Sequence, residues 1–474
     1  YRLRVDLDYF AARWREAGIS ALHVAAWHYH ERDAAGDDYL RRLIEACHRN
    51  AILVYAWLEL PHVSERFWLD HPEWREKTAV AQDAHLDWRK LMNLLNRECF
   101  AAASAGVRAL LGRFDWDGAN LAELYFESLQ GHENPSRFTP MNEDVRREFQ
   151  EREGFDPIQL FDSSSPRRLD INPTGLRRFL DYRADLARRM QKEWLDLLAS
   201  VKREKPHLDL VLTHVDDRFD PRMRDAIGAD AASVLSLLNH HNITFLVEDP
   251  ATVWHLGPER YREIAARYAP LTPHREKLAI DLNIVERYQD VYPTKQQVGA
   301  ELYQLVNQAA RSFPRVALYF ENSIQAADAA WLSSAAAAVE RWERDGDRRT
   351  VESPNGVGIR WKGPARVDGK PWPVGDGETV WLPAGLHTVE PGSEEPALRL
   401  VDLTAELLSA ASLPRGLEFT YRSSARAFAI LDRRPAAVWV DGTPAEAANS
   451  DSVDGAVLWL PAGLHVVRVE GPAD

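Results

Sequence analysis

Phe114-Asp-Trp-Asp-Gly-Ala-Asn-Leu-Ala-Glu-Leu-Tyr-Phe126 sets an Asp-Gly turn directly before a short apolar run that ends on acidic and aromatic residues. Asp117-Gly118 supplies the turn, and Ala119 to Phe126 reads as a strand. Side chains alternate along a strand, which predicts Leu121, Glu123 and Tyr125 on one face, pointing into the fold at the strand's end, and Ala122 and Leu124 on the other. Helical periodicity flanks this strand on both sides, at Phe100 to Leu111 and Thr174 to Lys205. A strand between two helices is the repeating unit of a parallel sheet with right-handed crossovers.

The same unit recurs outward in both directions. Apolar, β-rich runs occur at Leu3 to Leu7, Ala21 to His28, Ile52 to Leu60, Ala119 to Phe126, Asp209 to His214, Ile243 to Glu248, Lys277 to Asn283 and Val316 to Glu321. Further helices fall at Asp38 to His48, Pro258 to Tyr268 and Lys295 to Ser312. Eight strands in about 340 residues fit an α/β fold of the (β/α)8 TIM-barrel type with insertions. Two connections, Pro61 to Asn96 and Ser128 to about Pro173, are long enough to roof a cleft. The first carries Trp68, Trp74 and Trp88.

Beyond Gly346 the period becomes strand-like and an internal repeat emerges. Val367-Asp-Gly-Lys-Pro371 leading to Trp381-Leu-Pro-Ala-Gly-Leu-His387 returns as Val440-Asp-Gly-Thr-Pro444 leading to Leu460-Pro-Ala-Gly-Leu-His465. Asp-Gly is a hairpin turn, so each copy reads as a small antiparallel, β-sandwich-like module. The expected division is residues 1–344 as barrel, 345–394 as the first module, 395–413 as a helical connector and 414–474 as the second module.

Composition narrows the function. Lys and Arg number 58 against 72 Asp and Glu, a net charge of −14, which opposes a nucleic-acid partner. No apolar run approaches the ~18 residues of a membrane span. Cys47 and Cys99 are the two cysteines and read as small buried hydrophobes in helices, so a disulfide framework and a Cys-rich metal site are excluded. The chain starts inside an amphipathic pattern without Met, which gives the expectation of a trimmed leader and an extracytoplasmic address.

In a barrel of this kind the chemistry sits where strands end. The strand-end polar residues are Trp27 and His28, Trp57 and Glu59, Glu123, Tyr125 and Glu127, His214 and Asp216, Glu248 and Asp249, Asp281 and Asn283, and Tyr319 and Glu321. Opposed carboxylates of this number suit glycosidic cleavage, with one protonated to donate and one ionised to attack or activate water. Glu123 is the candidate acid/base, with Asp281, Glu321 or Glu248 as its partner. Trp27, Trp57 and Trp254 are candidate sugar platforms. His28, Glu59, Tyr125, His214, Asp216 and Asn283 are candidate hydroxyl contacts. The substrate expected is a poly- or oligosaccharide, with no cofactor.

Leu53-Val-Tyr-Ala-Trp-Leu-Glu59, His71-Pro-Glu-Trp74, the Asp117 to Phe126 run and the long basic helix closing on Lys205-Pro206 together resemble the bacterial glycosyl-hydrolase-like barrel proteins. The resemblance spans roughly residues 20 to 325. It implies a carbohydrate-active barrel with its acidic strand-end position at Glu123; Ala122 stands where that group often has a second acid. Two other functions fit the residues. His28-Tyr29-His30 with His214 and Asp281 would suit a metal-dependent barrel hydrolase. A catalytically silent glycan-binding barrel, with the C-terminal repeats as its adhesive part, is the other. Signatures of nucleotide binding and of serine hydrolases are missing from the sequence.

Overall fold

A computed structural model of the chain describes residues 4–86, 88–284, 296–445, 450–452 and 455–471. Seven parallel strands form one curled sheet in chain order: β1 (Ala21–Ala25), β2 (Leu53–Glu59), β3 (Gly118–Ala122), β4 (Asp209–Val215), β5 (Thr244–Glu248), β6 (Leu278–Asn283) and β7 (Val316–Tyr319). Each pairs in parallel with the next, for example Tyr55 with Gly118 and Glu248 with Asp281. Helices cover the outside, among them α1 (Leu7–Glu16), α2 (Ala34–Arg49), α3 (Arg97–Arg113), α4 (Pro173–Glu204), α5 (Arg260–Tyr268) and α6 (Ala300–Ser312). The fold is an α/β barrel-type domain followed by antiparallel β sheets.

One expected strand is absent among the described residues. In the run from Leu3 to Leu7, Leu3 lies outside the described residues and Leu7 opens α1. Asp6 caps that helix, its carboxylate accepting the Tyr9 N–H at 3.0 Å, and a cap of this kind outweighs two turns of ambiguous alternation. The strand expected at Ala21 to His28 also stops early, because Ala26–Tyr29 turns into a 3-10 helix.

Alternation on β2 decides what lies inside. Leu53 and Tyr55 join Val211, Leu246 and Ala279 in an interior cluster, whereas Val54, Ala56 and Leu58 face the helices. The interior cluster also takes in Ala425, Phe428 and Val457 from the C-terminal region, which closes the end where the strands begin. A buried polar joint holds that contact. Asp117, fully buried, accepts from Arg426 Nε, from the Val54 N–H and from His48 Nε2 at 2.8 Å. Ser424 and Tyr55 both donate to Asp209, at 2.9 and 3.0 Å.

The C-terminal repeat is one topology used twice. The first main sheet runs, in spatial order, Arg341–Asp345, Arg348–Ser353, Gly385–Pro391, Ala365–Val367 and Lys370–Pro371. The second runs Glu406–Leu413, Gly416–Ser423, Gly463–Glu470, Ala437–Val440 and Thr443–Pro444 in the same order. A companion pair, Val357–Arg360 with Thr379–Leu382, corresponds to Ala427–Leu431 with Gly455–Leu460. Both copies share one core that includes Val351, Val389, Leu417 and Val467. The helical connector expected at 395–413 is instead two strands, Leu400–Leu403 and Glu406–Leu413. Its Leu, Ala and Glu favour helix, but pairing along Gly416–Ser423 overrides so weak a local preference.

The repeated motif residues form a clip. Asp368 and Asp441 both sit at φ 51°, and each carboxylate accepts from the imidazole of the distant His. The distances are 2.8 Å for His387 and 2.7 Å for His465. The second oxygen takes the next backbone N–H, of Thr388 or Val466.

Candidate active site

The C-terminal ends of β2, β3, β5 and β6 bring acidic side chains together. Glu59, Glu248 and Asp281 come from the inward positions of β2, β5 and β6, continuing the alternation set by Tyr55, Leu246 and Ala279. Glu123 arrives differently. On β3 the residue facing the barrel is Asn120, which bonds His23 and Thr213, while Leu121 and Leu124 pack among the helices. Alternation would therefore have turned Glu123 outward. The strand ends at Ala122, and Glu123 takes φ 51°, left-handed backbone that costs a non-glycine residue roughly 1–3 kcal/mol. That kink reverses its direction, and its neighbours hold it in place. The Glu123 carbonyl accepts from the Tyr125 N–H at 2.8 Å, and the Leu124 carbonyl from Gln191 of α4 at 3.0 Å.

The cation among these acids is Arg89, which sequence reasoning missed. It lies in a hairpin, His85–Leu86 with Arg89–Lys90, built by the first long connection. Its side chain is 3% exposed. Nη1 lies 3.0 Å from Glu123 Oε2 and also pairs with Glu127, Nε stands 3.6 Å from Glu59 Oε1, and Nη2 donates to the Leu60 carbonyl at 3.2 Å. A buried cation within reach of three carboxylates meets the requirement that buried charge be paired. The signal for it was the acid count itself, since so many carboxylates at one rim need a counter-ion.

The charge balance remains negative, and with burial it raises four of the acids. Burial, then repulsion from Glu123, pushes Glu59 well above the ordinary carboxylate range. Burial raises Glu123 too, against the opposing pull of Arg89 and a hydrogen bond from Tyr125. Glu248 is raised well above its ordinary value by burial, then by Glu123, Asp281, Asp249 and Glu59. Asp281 is pushed up to about 7 by burial, Asp249 and Glu123. Glu248 Oε2 and Asp281 Oδ1 are buried without a hydrogen-bond partner, as is Trp57 Nε1. Orphaned buried polar atoms at one rim are what a site awaiting a polar ligand leaves behind.

Aromatic rings stand beside the acids. Trp57 packs against Tyr319 at 5.5 Å, and Trp27 stacks on Trp88 at 5.4 Å with His62 set edge-on to both. His28 is exposed and tilted against Trp27.

Other candidates lie elsewhere. Trp254 is buried at 7% exposure, its Nε1 donating to the Asp249 carbonyl at 2.8 Å, so it props the loop after β5 and offers no open face. Asn283 reaches the same loop, with Nδ2 3.4 Å from Asp249 Oδ1, and Arg260 neutralises Asp249 at 2.8 Å. His214 faces the helical side, packed on Phe245 and bonded to Asp217 at 3.0 Å. Asp216 accepts the N–H groups of Arg218, Phe219 and Asp220, which makes it the organiser of its own turn. Glu321 is exposed on a 3-10 turn, two residues past the end of β7 at Tyr319. The metal-site alternative loses its ligand set. His30 lies against Gly106 and Phe67, His214 is on the other side of the sheet from Asp281, and among the described residues no group of three His, Cys, Asp or Glu could hold an ion.

No protein-family model matches this sequence, and no curated protein sequence matches it. Among solved structures, similarity extends to the glycoside hydrolase domain of PgaB (BpsB) from Bordetella bronchiseptica, at 11% identity and a TM-score of 0.47, over 67% of this chain and 88% of that one. It extends also to the beta-galactosidase of the psychrophilic Marinomonas ef1, at 13% identity and a TM-score of 0.46, over 66% of this chain and 51% of that one. A GH5_18 protein from Bifidobacterium longum subsp. infantis aligns at 13% identity and a TM-score of 0.38, over 67% of this chain and 65% of that one.

Proposed function

We propose that the chain is a glycoside hydrolase in which Glu248 delivers the proton and Glu123 acts as the ionised carboxylate. One observation carries this reading: two half-buried glutamates share a rim in opposite surroundings. Glu123 contacts the Arg89 guanidinium, which favours its anion. Glu248 makes no ion pair among the described residues and is surrounded by other acids, which favours its protonated form. Environments that push two acids apart in this way assign the donor and the base or nucleophile. Asp281 adds negative charge next to Glu248 and helps keep it protonated. The excess of acid also disfavours anionic sugars such as uronates.

The test uses aryl glycosides of graded leaving-group acidity. Glu248→Gln is expected to lose activity on glycosides with poor leaving groups and to retain it on activated ones, which need no proton. Glu123→Gln is expected to be inactive on all. Undiminished turnover by Glu123→Gln would overturn the assignment, and equal losses across all leaving groups in Glu248→Gln would remove the donor role.

A further inference from the structure

The two C-terminal modules differ at one face, and the difference points to a second binding site. In the second module the companion pair sets Phe428 opposite Trp459 and Ile430 opposite Val457. That apolar face is seated on the barrel, with Trp459 edge-on to His48 at 5.4 Å and Phe428 inside the interior cluster. The corresponding positions of the first module pair Gly358 with Trp381 and Arg360 with Thr379. Three of the four have become small or polar. The tryptophan alone is retained, at 38% exposure, on a face that nothing among the described residues is seated on in the same way.

Its setting is that of a rigid flat surface. Val357, Ile359, Val380 and Leu382 point into the module core, so Gly358, Arg360, Thr379 and Trp381 point out. The indole lies over Gly358, where a Cβ would come within 2.5 Å of the ring. The Trp381 carbonyl is fixed by Trp372 Nε1 at 2.9 Å. One ring face is therefore covered by backbone and the other is open, with a guanidinium and a hydroxyl on the neighbouring positions.

We propose that Trp381, lying on Gly358 with Arg360 and Thr379 beside it, is a binding platform for a neutral polysaccharide, separate from the barrel rim. An indole face accepts the C–H side of a pyranose while neighbouring donors take its hydroxyls. A protein partner needs roughly 800 Å² from each side, far more than one indole with polar flanks supplies. The proposal is independent of the hydrolase reading.

Native affinity electrophoresis of the full chain tests it, in gels containing barley β-glucan, galactomannan, dextran or soluble starch. At least one of these is expected to retard the wild type. Trp381→Ala is expected to weaken retardation at least tenfold with an unchanged melting temperature, and Gly358→Val, which lifts the ring, to do the same. Retardation by none of the four, or equal retardation of wild type and Trp381→Ala, would overturn the proposal. So would sedimentation equilibrium showing a wild-type dimer that Trp381→Ala dissociates, since the face would then belong to a second copy.

Discussion

Arg89 Nη1 stands 3.0 Å from Glu123 Oε2, while Nη2 of the same guanidinium lies 3.4 Å from the Glu123 carbonyl oxygen. One side chain thus fixes both the charge and the backbone kink of the residue assigned as catalytic anion. Arg89→Met is expected to destabilise the fold by about 3 kcal/mol, the order seen when one partner of a buried ion pair is removed. Without the cation, Glu123 ionises at higher pH, so the acidic limb of any pH–rate profile moves upward. Urea unfolding and kcat/KM against pH measure the two effects separately.

Asp281→Asn is expected to stabilise the protein at pH 8 while lowering activity. The Asp281 carboxyl is held up at about 7, above its unfolded value of 3.8, so the folded state binds a proton that the unfolded state releases. Its contribution to stability is favourable at low pH and declines as pH rises from about 4 to about 7. The penalty above that window is on the order of a few kcal/mol, and the amide avoids it. Thermal unfolding from pH 4 to 8 should show wild type and variant diverging as pH rises; parallel curves would contradict the burial of this charge.

Trp88→Ala is expected to raise KM about tenfold, equivalent to about 1.4 kcal/mol, with kcat within a factor of about two. Trp88 is 42% exposed, stacks on Trp27 and precedes Arg89 in the hairpin. A fall in kcat with an unchanged KM would mean that the ring acts through Arg89 and not on the sugar.

Asp441→Asn is expected to lower the titration midpoint of His465. Burial depresses the His465 imidazole, but its hydrogen bonds to the Asp441 carboxylate and the Ala462 carbonyl, with the charge of Asp441, together outweigh it and the net shift is upward. A raised histidine stabilises the fold below its unfolded value and loses that contribution as pH rises through the folded one. Proton NMR of the ring signals follows it directly; an unmoved midpoint would show the clip to be incidental.

The strands were legible because β2 to β6 are short apolar runs buried almost continuously on both faces, and the repeat because its turn residues occur twice. Leu3 to Leu7 misled, since an Asp cap can begin a helix inside what reads as alternation. Glu123 was chosen for the wrong reason. The sequence reading extended the strand to Phe126 and put Glu123 inward with Leu121, yet Leu121 faces the helices and a positive φ turns Glu123 in. Arg89 was out of reach because its position depends on a hairpin folding back over strands distant in sequence. His214 sits near its strand end as expected and Trp254 in the loop after β5, but tertiary partners turn both to structural use.

Asp117 and Arg426 join residues 309 positions apart at the foot of the barrel. The consequence is practical: the second β module is the floor of the barrel domain. A minimal barrel cut after Ala337 would leave Leu53, Val211 and the Asp117 carboxylate open to water, and so would be expected to aggregate instead of folding. Swapping this floor for that of another protein would require carrying Arg426, Phe428, Val457 and Trp459 along with it.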